Sequence, residues 1–319
     1  MQITLEGHDQ PVPVEAGDTI LASLLRAGVP FPFSCQAGNC GTCKCELVSG
    51  DVLELEHSEH ALAPEERAKG VILACRTQVW DDTVVRRIDA EELVMHPSRI
   101  MRCRVLQVED LTHDIKGLHL EIEAGGPYVF SAGQYAELEF AAGLSRHYSM
   151  ASTPDESELV FHVRHMPGGR TSAYVAAQLK AGDRVKVSGP LGVSYLRDHH
   201  CGPVLLVAGG SGLAPIESIL RTLLARCYAA PIALYLGAGS ERDVYHEALF
   251  RDLAARHPNF SYRIAFSEHA PMAEDLQLPQ DLMAYLAGPP AMVEAATALL
   301  AARGLAPRQI HADAFYSQS

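Results

Sequence analysis

Three folds in series are predicted for this 319-residue chain: a mixed α+β domain, an antiparallel β-barrel and a doubly wound parallel α/β domain. Three observations carry the prediction. A cysteine-rich loop lies among short strands near the N-terminus. Apolar residues then alternate with a period of two between Ile100 and Val187. From Pro203 onward, continuous apolar runs alternate with helical patterns, the order of βα units. The predicted domain bounds are 1–92, 99–198 and 201–319.

In the first part, residues 2–5 and 12–14 read as short strands. Asp18 is the expected cap of a helix whose Ile20, Leu21, Leu24 and Leu25 share one face, and Gly28 ends it. The loop Cys35-Gln-Ala-Gly-Asn-Cys40-Gly-Thr-Cys43 follows, then a strand over 44–48. Cys75 lies about thirty residues on. This C-x4-C-x2-C…C spacing is the plant-type pattern for four thiolates on a [2Fe–2S] cluster. Zinc sites favour two C-x2-C pairs, and one is present here. Strand, strand, helix, metal loop, strand is the order of a β-grasp ferredoxin. Cys35, Cys40, Cys43 and Cys75 complete the ligand set, so Cys45 reads as a packed thiol, with Cys103, Cys201 and Cys227 as core filler.

Residues 89–98 are acidic and end near His96-Pro97, the pattern of a linker. Beyond it, Leu118, Leu120 and Ile122 alternate with polar residues, as do Leu159, Phe161 and Val163, with a helix expected over 171–179. Strands are then expected at 204–208, 232–236, 262–266 and 284–287, and helices after Gly212, over 244–256 and over 291–303.

Four short motifs carry chemistry. Arg146-His147-Tyr148-Ser149 offers a phosphate partner, a flat ring and a hydroxyl on one strand. Gly168-Gly169-Arg170-Thr171-Ser172 opens a helix and can cradle an anion. Gly209-Gly210-Ser211-Gly212-Leu213-Ala214-Pro215 follows a buried strand, and Gly288-Pro289-Pro290 follows another. Both are placed at the carboxyl edge of a parallel sheet, where ligands bind.

Taken in order, these motifs resemble the ferredoxin–NADP reductase superfamily. With the N-terminal cysteine loop, the linker His96-Pro97-Ser98-Arg99-Ile100 and the ending Ala312-Asp313-Ala314-Phe315-Tyr316, the whole chain is similar to reductase components of bacterial aromatic-ring dioxygenases, those of the naphthalene dioxygenase type in particular. The resemblance implies FAD on the barrel, NAD(P)H on the parallel sheet, and electron flow from nicotinamide through FAD to the cluster. It implies that Arg146, Tyr148 and Ser149 hold the isoalloxazine and phosphates, and that His162, Val163 and Arg164 run along the ribityl chain. Gly168, Gly169 and Ser172 then hold the pyrophosphate, and Gly209, Gly210, Ser211, Gly212, Pro215, Gly288 and Pro289 the dinucleotide. Phe315 covers the flavin face, and Ser149 and Phe315 are the catalytic pair. The family usually has Cys where this chain has Ala287.

Composition bounds the partners. A net charge of −13 argues against nucleic acid. Residues 1–95 hold 16 acidic and 7 basic side chains, so the acid concentrates beside the cysteine loop and fits a basic docking surface on a ferredoxin or Rieske oxygenase. The apolar runs are too short to span a membrane, and eight cysteines behind a strand-like N-terminus point to a reduced cytoplasm. Gly239 replaces an arginine common in relatives, and with Glu241 and Asp243 nearby NADH is favoured over NADPH, Arg242 being the counter-evidence. A diiron hydroxylase as acceptor, or a redox sensor without turnover, are the alternatives.

Overall fold

The computed structural model describes residues 1–316, apart from 34, 40, 60, 89–93, 95 and 267–277. Most of the expected linker over 89–98 and the expected ligand Cys40 therefore lie outside the described residues. The chain divides into two compact units, 1–95 and 96–319.

In the first unit, β1 (Gln2–Leu5) and β2 (Val12–Pro13) form a hairpin, followed by α1 (Ile20–Arg26). After the cysteine loop come β3 (Lys44–Ser49), β4 (Val52–Glu54), α2 (Pro64–Arg67), β5 (Val71–Leu73), β6 (Thr77–Val79) and β7 (Thr83–Arg87). The main sheet runs β2-β1-β7-β3-β5, with β1 and β7 parallel, and β4 pairs with β6. Alternation along β1 buries Ile3 and Leu5, and α1 buries Ile20, Leu21 and Leu24. Thr19, not Asp18, caps α1: its hydroxyl accepts the Ala22 N–H at 3.2 Å, while Asp18 pairs with Arg26. The extended backbone of Thr19 puts its hydroxyl, one residue later, over the first turn. Trp80, the one tryptophan, is 63% exposed just after β6.

The second unit begins with β8 (Arg99–Asp110), β9 (Ile115–Ala124), β10 (Tyr135–Ala141), β11 (Leu144–Ser149), β12 (Glu158–Arg164), α3 (Arg170–Ala177) and β13 (Arg184–Leu191). These six strands form one antiparallel sheet in the order β11-β10-β13-β8-β9-β12. The sheet curls until its two edge strands approach, and they meet at a bridge between Met150 and Phe161. Leu118, Leu120, Leu138, Phe161 and Val163 fill the interior. The Ala151 N–H continues that contact to the Val160 carbonyl at 2.7 Å, whereas β11 itself has no ladder to β12, so the curled sheet stays open along residues 144–149.

The chain then alternates β14 (Val204–Gly209), α4 (Leu213–Ala225), β15 (Ile232–Ala238), α5 (Glu247–Arg256), β16 (Phe260–Phe266), β17 (Met283–Gly288), α6 (Pro290–Ala302) and β18 (Ile310–Ala314). All five strands are parallel, in the order β16-β15-β14-β17-β18. Every residue of β14 is buried, as expected for a central strand covered on both faces. Two readings are corrected. The fifth strand, β18, was not expected, and α5 starts at Glu247 rather than 244, because Val244 to His246 first make a turn in which His246 is left-handed (φ 60°).

Candidate cofactor sites

The cysteine loop is shaped by left-handed residues. Gln36, Gly38 and Gly41 have φ of 52°, 76° and 72°, which turns successive N–H groups inward. The Cys35 sulfur accepts from the N–H groups of Ala37 (3.4 Å) and Asn39 (3.3 Å). A Cβ on Gly38 would fall 2.8 Å from Arg76 Cγ, and one on Gly41 2.8 Å from the Ala61 carbonyl. Cys43 and Cys75 are buried, and the Ala74 N–H bonds the Cys43 carbonyl at 3.0 Å. A hydrogen bond from Cys43, aided by the Gly38 N–H, draws the Cys75 thiol below its ordinary range despite burial. Main-chain donors aimed at sulfur are what thiolate ligands of a cluster require, so the residues fit a [2Fe–2S] group.

Cys45 is different. It lies within β3, fully buried, with Ile72 and Arg87 opposite it on the neighbouring strands, and burial pushes its thiol up to about 12. Cys103 fills the barrel core as expected, whereas Cys201 and Cys227 are exposed. Cys201 lies in the segment that leads into β14, and Cys227 in the turn after α4.

At the barrel opening, Arg146 and Tyr148 stand opposite Leu138 and Ala136, on the concave side of the sheet. Tyr148 packs edge-on against Phe140 (6.3 Å between centroids), which also contacts Tyr174 of α3 at 6.1 Å. Arg146 is exposed and Ser149 is buried. Burial pushes the Tyr148 hydroxyl up to about 12, so the ring stays neutral. This half-buried flat ring beside a gap in the sheet fits an isoalloxazine.

Gly168 is left-handed (φ 75°), and Gly169 precedes α3. The Ser172 hydroxyl is committed to the turn: it accepts from the Met166 N–H at 3.0 Å and donates to the Gly169 carbonyl at 3.2 Å. Its donor proton is used, which leaves the first-turn N–H groups to meet an anion. Arg164 bonds Asp114 at 2.7 Å. His162 points the other way from Phe161 and Val163: it lines a cavity outside the barrel, where Tyr245 holds its Nδ1 at 3.0 Å. Its side chain does not join Tyr148.

At the carboxyl edge of the parallel sheet, glycine permits contact between two loops. A Cβ on Gly212 would fall 2.3 Å from the Ala287 carbonyl, and one on Gly288 2.7 Å from the Gly209 carbonyl. Gly210, Ser211 and Pro215 continue the first loop into α4, and Pro289 follows Gly288. The half-buried Phe315 is tied there by its N–H to the Gly288 carbonyl at 2.9 Å. The Ala287 methyl is buried in the core beneath α4. Asp243 accepts the Ser240 hydroxyl at 2.7 Å and faces His113 at 3.6 Å, while Glu241 and Arg242 are exposed.

Family models match this order of sites: a 2Fe-2S iron–sulfur cluster binding domain over 3–79, an oxidoreductase FAD-binding domain over 102–195 and an oxidoreductase NAD-binding domain over 206–298. The chain is 37% identical to the ferredoxin–NAD(P)+ reductase component of the naphthalene 1,2-dioxygenase system of Pseudomonas putida, with 99% of each chain covered. It belongs to this reductase family. The reductase is also 37% identical to the reductase component of phenol 2-monooxygenase from a Pseudomonas strain, over 99% of this chain and 94% of that one. Among solved structures it resembles the Amycolatopsis cytochrome P450 reductase, with a TM-score of 0.83, 36% identity, and 100% and 99% of the chains covered. It is thus an oxidoreductase with domains for a [2Fe–2S] cluster, FAD and NAD. Among the described residues, no helix is long and apolar enough to cross a membrane.

The sequence reading of this reductase missed Tyr245, His246 and Glu217, which gather around His162. Glu217 lies on α4 and the other two in the turn before α5, so no local spacing relates them to each other or to His162 on β12. The adjacent pair Tyr245-His246 before a helix was the only local signal.

Proposed function

We propose that the chain takes electrons from NADH and delivers them singly to a ferredoxin or Rieske oxygenase of an aromatic-ring hydroxylation system in the cytoplasm. FAD bound in the barrel would supply two-electron chemistry toward the nicotinamide and one-electron chemistry toward a plant-type cluster, whose potential is about −400 mV. The observation that carries this reading is the concave placing of Arg146 and Tyr148 on the edge strand β11 of the curled sheet, in the same unit as a glycine-lined parallel edge.

The chain's own residues then have separable tasks. Tyr148 would wall one flavin face, Arg146 would meet the phosphates, and Ser149 would offer its hydroxyl to the flavin ring. The free edge of β12, over His162, Val163 and Arg164, offers main chain to the ribityl group. Gly168, Gly169 and the start of α3 hold the pyrophosphate, with Ser172 fixing that turn. Residues 209–215 and 288–289 hold the dinucleotide, and Phe315 covers the flavin where nicotinamide must enter. Cys35, Cys40, Cys43 and Cys75 hold the cluster.

NADH is preferred over NADPH. With Asp243 tied to Ser240, the exposed Glu241 is the group that repels a 2′-phosphate. The excess of acid in residues 1–95 suits a basic docking surface on the acceptor. The test uses the enzyme loaded with both cofactors. Higher kcat/KM for NADH than for NADPH is expected, and the reverse overturns the nucleotide assignment. Reduction of the oxygenase partner should slow with ionic strength more than flavin reduction does; equal salt dependence argues against acidic docking.

A monooxygenase is the second acceptor class. The 37% identity to a phenol 2-monooxygenase reductase component over nearly the whole chain favours testing it beside the dioxygenase.

A further inference from the structure

A cavity of about 590 Å³ opens on the outer face of the barrel, lined by β9, β12, the 151–158 loop, α4 and His246. At its inner end stand three side chains from three elements. His162 comes from β12, Glu217 from α4, and His246 from the turn before α5. One ligand atom from each lies within 4.8 Å of the others. His162 and Glu217 are only 4% and 5% exposed.

We propose that His162, Glu217 and His246 form a binding site for a first-row divalent cation, with Zn²⁺ the ion this His2Glu donor set suits best.

Four features support the assignment. The first is the orientation of His162. Tyr245 Oη donates to the Gly210 carbonyl at 3.1 Å, so it accepts from His162 Nδ1–H at 3.0 Å. This fixes the tautomer and leaves Nε2 as the lone-pair nitrogen, the arrangement that supports a ligating histidine. The second is enclosure. His162 and Glu217 are both withdrawn from solvent with their ligand atoms close together, so a cation bound between them would be largely shielded from water.

The third is the redundancy of histidine at one carboxylate. Glu217 is already bonded by His246 Nδ1 at 2.7 Å, and an ion pair needs only one histidine. A second imidazole at the same buried carboxylate is explained by a cation that all three share. The fourth is backbone: His246 adopts φ 60°, uncommon outside glycine, and this conformation brings its ring to Glu217.

The surroundings also favour a cation. Glu109 and Glu158 flank His119 at 3.0 and 2.5 Å, and Glu156 pairs with Arg221. The cavity leaves room for a water as fourth ligand. Because one ligand belongs to the barrel and two to the nucleotide-binding fold, the ion would fasten the two folds together. A second His/Asp group, at His113, Asp114 and Asp243, is less suited, because Arg164 and Ser240 already hold its carboxylates.

The test is zinc loading of the full protein carrying both cofactors, followed by metal analysis and X-ray absorption at the zinc edge. One tightly held zinc is expected, with a nitrogen/oxygen shell at about 2.0–2.1 Å and no sulfur shell at about 2.3 Å. Glu217→Gln and His246→Asn, the latter tolerant of left-handed backbone, should each weaken binding more than about a hundredfold. Tyr245→Phe should weaken it about tenfold to a hundredfold, and His119→Gln should not. A sulfur shell, no retained zinc in the unaltered protein, or zinc kept by both ligand variants overturns the assignment. If the ligand variants do not fold, Tyr245→Phe decides: unchanged affinity overturns the site.

Discussion

The cysteine loop and the nucleotide-binding edge both bring glycine close to other backbone, but to different ends. In the first unit, three of the four expected ligands lie within nine consecutive residues, and Gly38 and Gly41 let the main chain wrap inward. In the second unit, Gly209, Gly212 and Gly288 come from distant positions and press two loops together. A metal loop can be encoded locally, because its ligands are one short segment plus one partner. A nucleotide edge is assembled by sheet order, so its precision depends on packing between segments far apart in sequence. Changes in the first region should therefore abolish one cofactor cleanly, and changes in the second should act through stability.

The largest expected effect tests the local site. Cys75→Ser should remove the visible iron–sulfur spectrum altogether while FAD stays bound. Cys45→Ser should keep the spectrum and cost about 1–3 kcal/mol, the penalty for a buried hydroxyl lacking a partner. Loss of the cluster in Cys45→Ser, with Cys75→Ser spared, would reverse the ligand assignment.

Next comes the assembled edge. Gly212→Ala places a methyl against the Ala287 carbonyl, where only backbone could yield. A loss of about 3 kcal/mol, the upper end for overpacking, is expected in the unit that holds FAD. Flavin release on heating should come earlier while cluster absorbance melts as before. A shared downward shift of both signals would show that the two regions are not energetically separate.

The smallest effect is on pH. Burial puts the folded value for His162 near 4, against 6.5 unperturbed, so the unfolded chain binds a proton that the folded protein refuses. Stability is therefore lost as pH falls from about 6.5 toward 4, by about 2 kcal/mol between pH 7 and pH 5. Burial would raise Glu217, but the His246 hydrogen bond and nearby positive charge hold it low, so its contribution is lost only below about 4.5. His246 has the opposite sign. Burial lowers it and Glu217 more than reverses this, so its contribution is present below about 6.5 and is lost as pH rises through the folded value. Denaturant midpoints followed by flavin fluorescence at pH 7 and pH 5 should differ less in His162→Gln. An equal difference would remove His162 as the cause.

What could be read from sequence follows the same division. The β-grasp order, the alternating barrel strands and the buried run of β14 were legible because each depends on residues two to four apart. The cap of α1 was misplaced by one residue, since Asp18 and Thr19 are both good caps and only backbone direction chooses between them. β18 is five residues of ordinary polarity whose strand character comes from pairing with β17. The spacing of the glycine motifs marked both nucleotide loops, but not that Gly212 makes room for the Ala287 carbonyl and Gly288 for Gly209. The surroundings of the His162 ring were not legible, because alternation along β12 turns it away from Phe161 and Val163. Its partners come from α4 and from a left-handed turn, and nothing within β12 announces them.

The lone indole of Trp80 stands well out into solvent beside Asp81 and Asp82, on the acidic unit proposed to dock the acceptor. Because no second tryptophan exists, its ultraviolet emission reports from a single address. Quenching by iodide or acrylamide, or a blue shift on adding an acceptor, would reveal whether that face becomes covered, without any label being attached.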